Sequence, residues 1–291
     1  MASPAGATFP GGHNGKVAYA AVNSAGFSAI WAVNPTGSGR TQLTHPAGGA
    51  SDTAPRWSAD GTRLTFTRVG GPNGSAVWTM ATNGTHQTIV VVGSHPTWSP
   101  DGQWIAFIGN ITHGPAGALF KIRSTPPYGA PILLNNPGTS VVDSEPDWSP
   151  DGTTISFART SSASSRIYTL NPTTGHLSDL INPPDACSDL GAVYNSATIG
   201  PLGQNMVFAC DNYGARQPAT IYKMSVMGST PIFVTPGWDP SWSPVDGHQI
   251  VYTNVNTPSE AGYKVMVANA DGSSIRTLVA HGFDPDWQPL P

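Results

Sequence analysis

A motif of the form Pro-x-Trp-Ser-Pro-Asp-Gly recurs along this chain, and no other feature limits its possible folds as much. It stands around Trp57 in APRWSADG, Trp98 in HPTWSPDG, Trp148 in EPDWSPDG, Trp242 in DPSWSPVDG and Trp287 in DPDWQPLP. These five Trp are 41, 50, 94 and 45 residues apart, and the double gap holds a degenerate copy, SATIGPLG. There Ile199 takes the Trp place and Gly200-Pro201-Leu202-Gly203 the turn. Six units of this period are the signature of a repeat architecture built from one small supersecondary unit.

Each unit also has a looser second half, as in SAIWAVNPTGSGRTQLT, SAVWTMATNGTHQTIV and SRIYTLNPTTGHLSDLI. Alternating apolar residues, a Gly- or Asn-bearing turn and another short apolar run describe two hairpinned strands. The Ser-Pro-Asp-Gly element is a hairpin turn, with Pro presetting φ and Gly accepting the left-handed conformation. Its four Asp (Asp60, Asp101, Asp151 and Asp246) therefore read as structural. Four strands per unit and six units predict an all-β, six-bladed β-propeller in which the recurring Trp fills the space between blades.

The chain begins in mid-unit, at NGKVAYAAV, and ends on a lone first strand, FDPDWQPLP. Pairing that C-terminal innermost strand with the three N-terminal strands would complete the sixth blade and close the ring. Residues 1–13 read as a flexible tail and 14–291 as one propeller domain. The Pro two residues before each Trp fits an innermost strand whose free edge faces the channel, where a missing N–H removes no ladder bond.

Composition agrees and excludes some functions. Only 10% of the 291 residues are charged, against about 25% in ordinary domains, while Gly (33) and Pro (28) are abundant. Net charge is −4 with scattered Lys and Arg, so no basic stripe suits nucleic acid. No apolar run approaches the roughly 20 residues of a membrane span, and membrane insertion is not expected. A monomer is expected.

The motif followed by an apolar-aromatic strand and pairs such as Ile167-Tyr168 resembles the TolB-like propeller repeat, over nearly all of residues 14–291. TolB carries a further N-terminal α/β domain, for which the 13 residues before the first strand are too few. The repeat also occurs in propellers attached to serine peptidases, in free-standing extracellular proteins and in metal-dependent lyases. The resemblance implies a secreted, periplasmic or cell-envelope propeller that binds at its channel mouth.

The residue before the Pro changes from unit to unit: Ala54, His95, Glu145, Ser196, Asp239 and Asp284. It opens the innermost strand, so these six should ring one mouth. Asp239, Asp284, Glu145 and His95 could hold a divalent cation, Ca²⁺ through the carboxylates or a transition metal through the imidazole. Solvated polar residues at a wet mouth are the plainer alternative. One position earlier stand Thr53, Ser94, Ser144, Asn195, Trp238 and Phe283, and which row points inward is open. If the second does, Trp238, Phe283 and nearby Tyr194 would form an aromatic wall for a sugar, a ring or a peptide side chain. Cys187, in the loop PPDACSDLGAVY, and Cys210 are the only cysteines and lack metal-site spacing; a disulfide between them would pin that loop over the blade that lost its Trp. Two functions follow: a module holding a peptide, protein or saccharide ligand at the mouth, or a metal-dependent lyase, hydrolase or cyclase sited there.

Overall fold

The computed structural model describes residues 12–110, 116–138, 140–162, 165–180, 192–212, 219–254 and 262–291. Among these residues, twenty-four strands form six antiparallel sheets of four. Five sheets are consecutive in sequence, and their innermost strands are β4 (Ser51–Trp57), β8 (Ser94–Trp98), β12 (Val141–Trp148), β16 (Ala192–Ile199) and β20 (Trp238–Trp242). The sixth joins the two ends of the chain. The last strand, β24 (Phe283–Leu290), pairs with β1 (His13–Val22), which pairs with β2 (Ser28–Val33) and β3 (Thr41–Gln42). Val17 faces Trp287 and Ala18 faces Asp286 across that seam. The expected closure is the one observed, and no helix among the described residues is long and apolar enough to cross a membrane.

A sheet of four strands cannot bury both faces alone, so each blade packs against two neighbours. Six hydrophobic clusters result, one at each blade–blade interface. The Trp place of the repeat sits in every one of them, as Trp57, Trp98, Trp148, Trp242, Trp287 and, in the degenerate unit, Ile199. Two of the indoles reach back to the preceding blade. Trp98 donates to the Arg56 carbonyl at 3.2 Å and Trp242 to the Thr198 carbonyl at 3.1 Å.

The turn Asp are structural, as their position implies. Asp151 Oδ1 accepts from Ser149 Oγ at 2.6 Å and from the Thr153 N–H at 3.0 Å, and Asp60, Asp101 and Asp246 repeat the pattern. Burial alone would raise the Asp60 and Asp151 carboxyls, but these hydrogen bonds hold both below the usual range. The degenerate turn keeps the backbone bonds, Gly200 N to Asn205 O and Gly203 N to Gly200 O, while Leu202 stands exposed in the Asp place.

Candidate functional site at the channel mouth

In every blade the innermost strand carries one extra residue at the x-Pro step. Thr53 pairs with Thr67 but Arg56 with Thr65, so three steps on one strand oppose two on the other. The same shift falls between Ser94 and Thr97, Ser144 and Asp147, Asn195 and Thr198, Trp238 and Ser241, and Phe283 and Asp286. This is a β-bulge repeated six times. Its first residue is left-handed throughout: Ala54, His95, Glu145, Ser196, Asp239 and Asp284 have φ of 48–50°. Among the described residues only two other non-glycine residues have positive φ, His86 and Ser274.

The left-handed bend turns each bulge N–H out of its ladder, and neighbouring side chains accept several of them. Ala54 N–H donates to Asp284 Oδ2 at 3.1 Å. The Ser196 N–H and hydroxyl both donate to Glu145 Oε2 at 2.5 Å, and that hydroxyl also lies 2.9 Å from Asp239 Oδ1. Asp239 and Asp284 share a side-chain hydrogen bond. Glu145, Ser196, Asp239, Asp284 and the Ala54 backbone thus form a chain of contacts from blade to blade. His95 belongs to the same row but lies exposed, its N–H on Thr67 Oγ1 and its ring on Ser94 Oγ.

A second row stands one step deeper, at the residue between Pro and Trp: Arg56, Thr97, Asp147, Thr198, Ser241 and Asp286. Sequence reading passed over it. The signal was present as simple alternation, since residues two apart on a strand face the same side. Thr97 Oγ1 donates to Asp147 Oδ1 at 3.1 Å, and Ser241 Oγ to Asp286 Oδ1 at 2.9 Å. The Trp57 N–H donates to Asp286 Oδ2 at 2.7 Å. Residues of both rows, among them Glu145 and Ser196 of the first and Arg56, Asp147 and Asp286 of the second, line a cavity of about 20 Å³, room for about one water.

Five carboxylates, Glu145, Asp147, Asp239, Asp284 and Asp286, therefore share the channel with one guanidinium, that of Arg56. Each keeps a little water-accessible surface but is enclosed by protein. Burial first, then the Asp284 charge, push the Asp239 carboxyl up to about 7. Burial pushes Asp147 up to about 6 against hydrogen bonds from Thr198 and Thr97 and the charge of Arg56. Asp284 and Asp286 are also raised by burial, with Arg56 opposing.

A raised folded-state carboxyl works against stability at high pH. From its ordinary 3.8 up to about 7, Asp239 binds a proton more tightly folded than unfolded. Its contribution is most favourable below pH 4 and is lost as pH rises through 7. We expect urea denaturation to show the protein less stable at pH 8 than at pH 5, with Asp239 responsible for roughly 2–4 kcal/mol of that fall. Asp239→Asn should flatten the profile and exceed the parent protein's stability at pH 8. Equal slopes for the two proteins would refute this assignment.

The second candidate row does not line the channel together. Tyr194 is buried in one inter-blade cluster against Phe208 and Phe283 in another, while Trp238 meets Tyr263 edge-on with centroids 5.9 Å apart. The position two before the ring is buried in every blade. It is glycine in three blades, Gly93, Gly237 and Gly282, where an added Cβ would come within 2.6 Å of Phe107, 2.5 Å of Tyr252 and 2.6 Å of Tyr19. In two others it is Asp52 and Asp143, each wholly buried and paired with Arg68 and Arg159 directly across the strand ladder.

Among the described residues no three His, Cys, Asp or Glu side chains gather where a metal ion could be held. Donors already occupy the carboxylates, with Ser196 on Glu145 and Ala54 on Asp284. Asp239, Asp284, Glu145 and His95 form no such group. Cys210 is disulfide-bonded; Cys187 lies outside the described residues.

No protein-family model matches the sequence, and no curated protein matches it. Solved structures do. TolB from Acinetobacter baumannii superposes with a TM-score of 0.76 at 15% identity, over 94% of this chain and 66% of that one. A candidate TolB from Agrobacterium tumefaciens gives 0.69 at 18% identity, over 96% of this chain and all of that one. An oligogalacturonate lyase in complex with manganese gives 0.55 at 16% identity, over 78% of this chain and 69% of that one. With six closed blades and the repeat that builds them, this chain has the fold of a TolB-like six-bladed β-propeller.

Proposed function

We propose that the protein is a non-catalytic binding module of the cell envelope or secreted space that takes a peptide or protein segment bearing a basic group at the left-handed mouth. The observation that carries this reading is the ring of six left-handed residues. Such a conformation costs an L-residue about 1–2 kcal/mol and suits glycine, yet none of the six is glycine in a chain that has 33. Strain retained at one mouth by Glu145, Ser196, Asp239 and Asp284 supports a use for those side chains. The excess of carboxylates over Arg56 favours a cationic partner. The likeness to TolB structures supports an envelope protein, and the disulfide at Cys210 supports an oxidising compartment. The pairing of Cys210 with Cys187 is part of this proposal.

Fluorescence anisotropy with short labelled peptides that differ only in charge tests it. Lysine- and arginine-bearing peptides should bind, and Glu145→Gln should weaken them about tenfold, a loss of about 1.4 kcal/mol. Asp151→Asn, on the opposite side of the ring, should change nothing. Binding that ignores peptide charge, or that survives Glu145→Gln intact, would overturn the reading.

A further inference from the structure

At the end opposite the left-handed ring the channel widens into a chamber of about 90 Å³. Three repeat positions from all six blades build it. The row between Pro and Trp makes the floor, the Trp place makes the wall, and the turn Pro makes the rim, with Ala59 replacing Pro in one blade. Every one of these positions lies on a strand or a hydrogen-bonded turn, so the chamber is rigid. A smaller cavity of about 20 Å³ lies toward the other mouth and shares Arg56, Asp147, Thr198, Ser241 and Asp286 with it.

Its floor carries charges of both signs that do not touch. The Arg56 guanidinium donates one hydrogen bond, to the Pro55 carbonyl at 3.0 Å. Among the described residues the only Arg–carboxylate pairs within 4 Å involve Arg68, Arg159 and Arg166. Asp286 and Asp147 are nevertheless the charges that act most strongly on Arg56. A guanidinium with donors to spare and two carboxylates thus line one chamber with no ion pair within 4 Å between them. Those carboxylates are held in place by Thr97, Thr198, Ser241 and the Trp57 N–H.

This pattern selects its ligand by charge. A simple anion that reached Arg56 would meet Asp147 and Asp286, with Asp239 and Asp284 behind them. A simple cation would meet Arg56. A molecule with both charges a few ångströms apart satisfies the two sets at once, and its net charge of zero adds no uncompensated charge. The volume sets the size: about 90 Å³ equals about three waters and is less than the about 150 Å³ of a benzene-binding cavity.

We propose that this chamber binds a small zwitterion, a free α-amino acid of glycine or alanine size, with its carboxylate on the Arg56 fork and its ammonium toward Asp147 and Asp286. The site is separate from the left-handed mouth and does not rest on the function proposed for it.

Calorimetric titration of the whole protein with glycine and with L-alanine, beside acetate and methylammonium, tests the assignment. At least one amino acid should bind saturably at one site per chain, with acetate and methylammonium at least about tenfold weaker. Ala59→Leu, which fills the rim and alters no charge, should abolish binding while a thermal melt shows the fold intact. Asp286→Asn should weaken it about tenfold. The proposal is overturned by no saturation with either amino acid up to about 50 mM. It also fails if either single-charge control binds as tightly, or if binding is unchanged in Ala59→Leu.

Discussion

Asp143→Asn should lower the free energy of unfolding by about 3–5 kcal/mol, the cost of stranding a buried charge. Asp143 is wholly inaccessible and Arg159 retains 15% of its side-chain surface, with Nε 2.7 Å from Oδ1 and Nη2 3.0 Å from Oδ2. Asn135 supplies a further donor at 2.8 Å, and the guanidinium lies 4.9 Å from the Tyr168 ring centroid. Removing the carboxylate leaves a cation lying over the Phe157 and Tyr168 rings with little water to solvate it. Arg159→Met combined with Asp143→Leu should lose much less, because replacing both partners with apolar groups leaves no charge unpaired and only the half-buried Asn135 amide without its acceptor. Equilibrium urea denaturation of the three proteins checks both statements. A loss under about 1 kcal/mol for the single variant would show that water reaches the guanidinium after all. The Asp52–Arg68 pair has the same geometry, with contacts of 2.6 and 2.8 Å, and should respond alike.

Arg56→Met should be as severe, and its severity should depend on pH. Arg56 is the one cation that lowers Asp147, Asp239, Asp284 and Asp286, all of which burial raises. Without it those carboxyls climb further, and ionising them in the folded protein becomes costlier. The sign follows from linkage: groups raised in the folded state lose stability as pH rises. At pH 8 the variant should lose about 3–5 kcal/mol. At pH 5, where Asp147 and Asp239 are largely protonated in the fold, the loss should shrink to about half or less. A pH-independent loss would mean that Arg56 acts through packing of its stem and not through its charge. Asp286→Asn in the Arg56→Met background should recover part of the loss at pH 8.

Periodicity alone made six blades and four strands per blade legible, because a propeller blade cannot bury its faces without neighbours and so must repeat. The broken repeat at the two ends likewise required the seam between β24 and β1. The ring of Ala54, His95, Glu145, Ser196, Asp239 and Asp284 was also readable as the variable place in an otherwise constant motif. Its left-handed backbone was not, since the bulge arises from how β4 and its counterparts pair with the next strand, and the residues themselves are not glycine. The deeper row needed only alternation to be found, yet Arg56 and Asp286 come from units at opposite ends of the chain.

What the amino-acid order determined alone is the architecture, through local periodicity, turn chemistry and the Trp that each interface requires. What tertiary structure decided is the chemistry of the channel. Whether a carboxyl there is charged depends on burial and on partners more than 200 residues away, as with Ala54 and Trp57 donating to Asp284 and Asp286. Such distances are closed only when the ring is closed, and electrostatic energies follow distance in space, not along the chain.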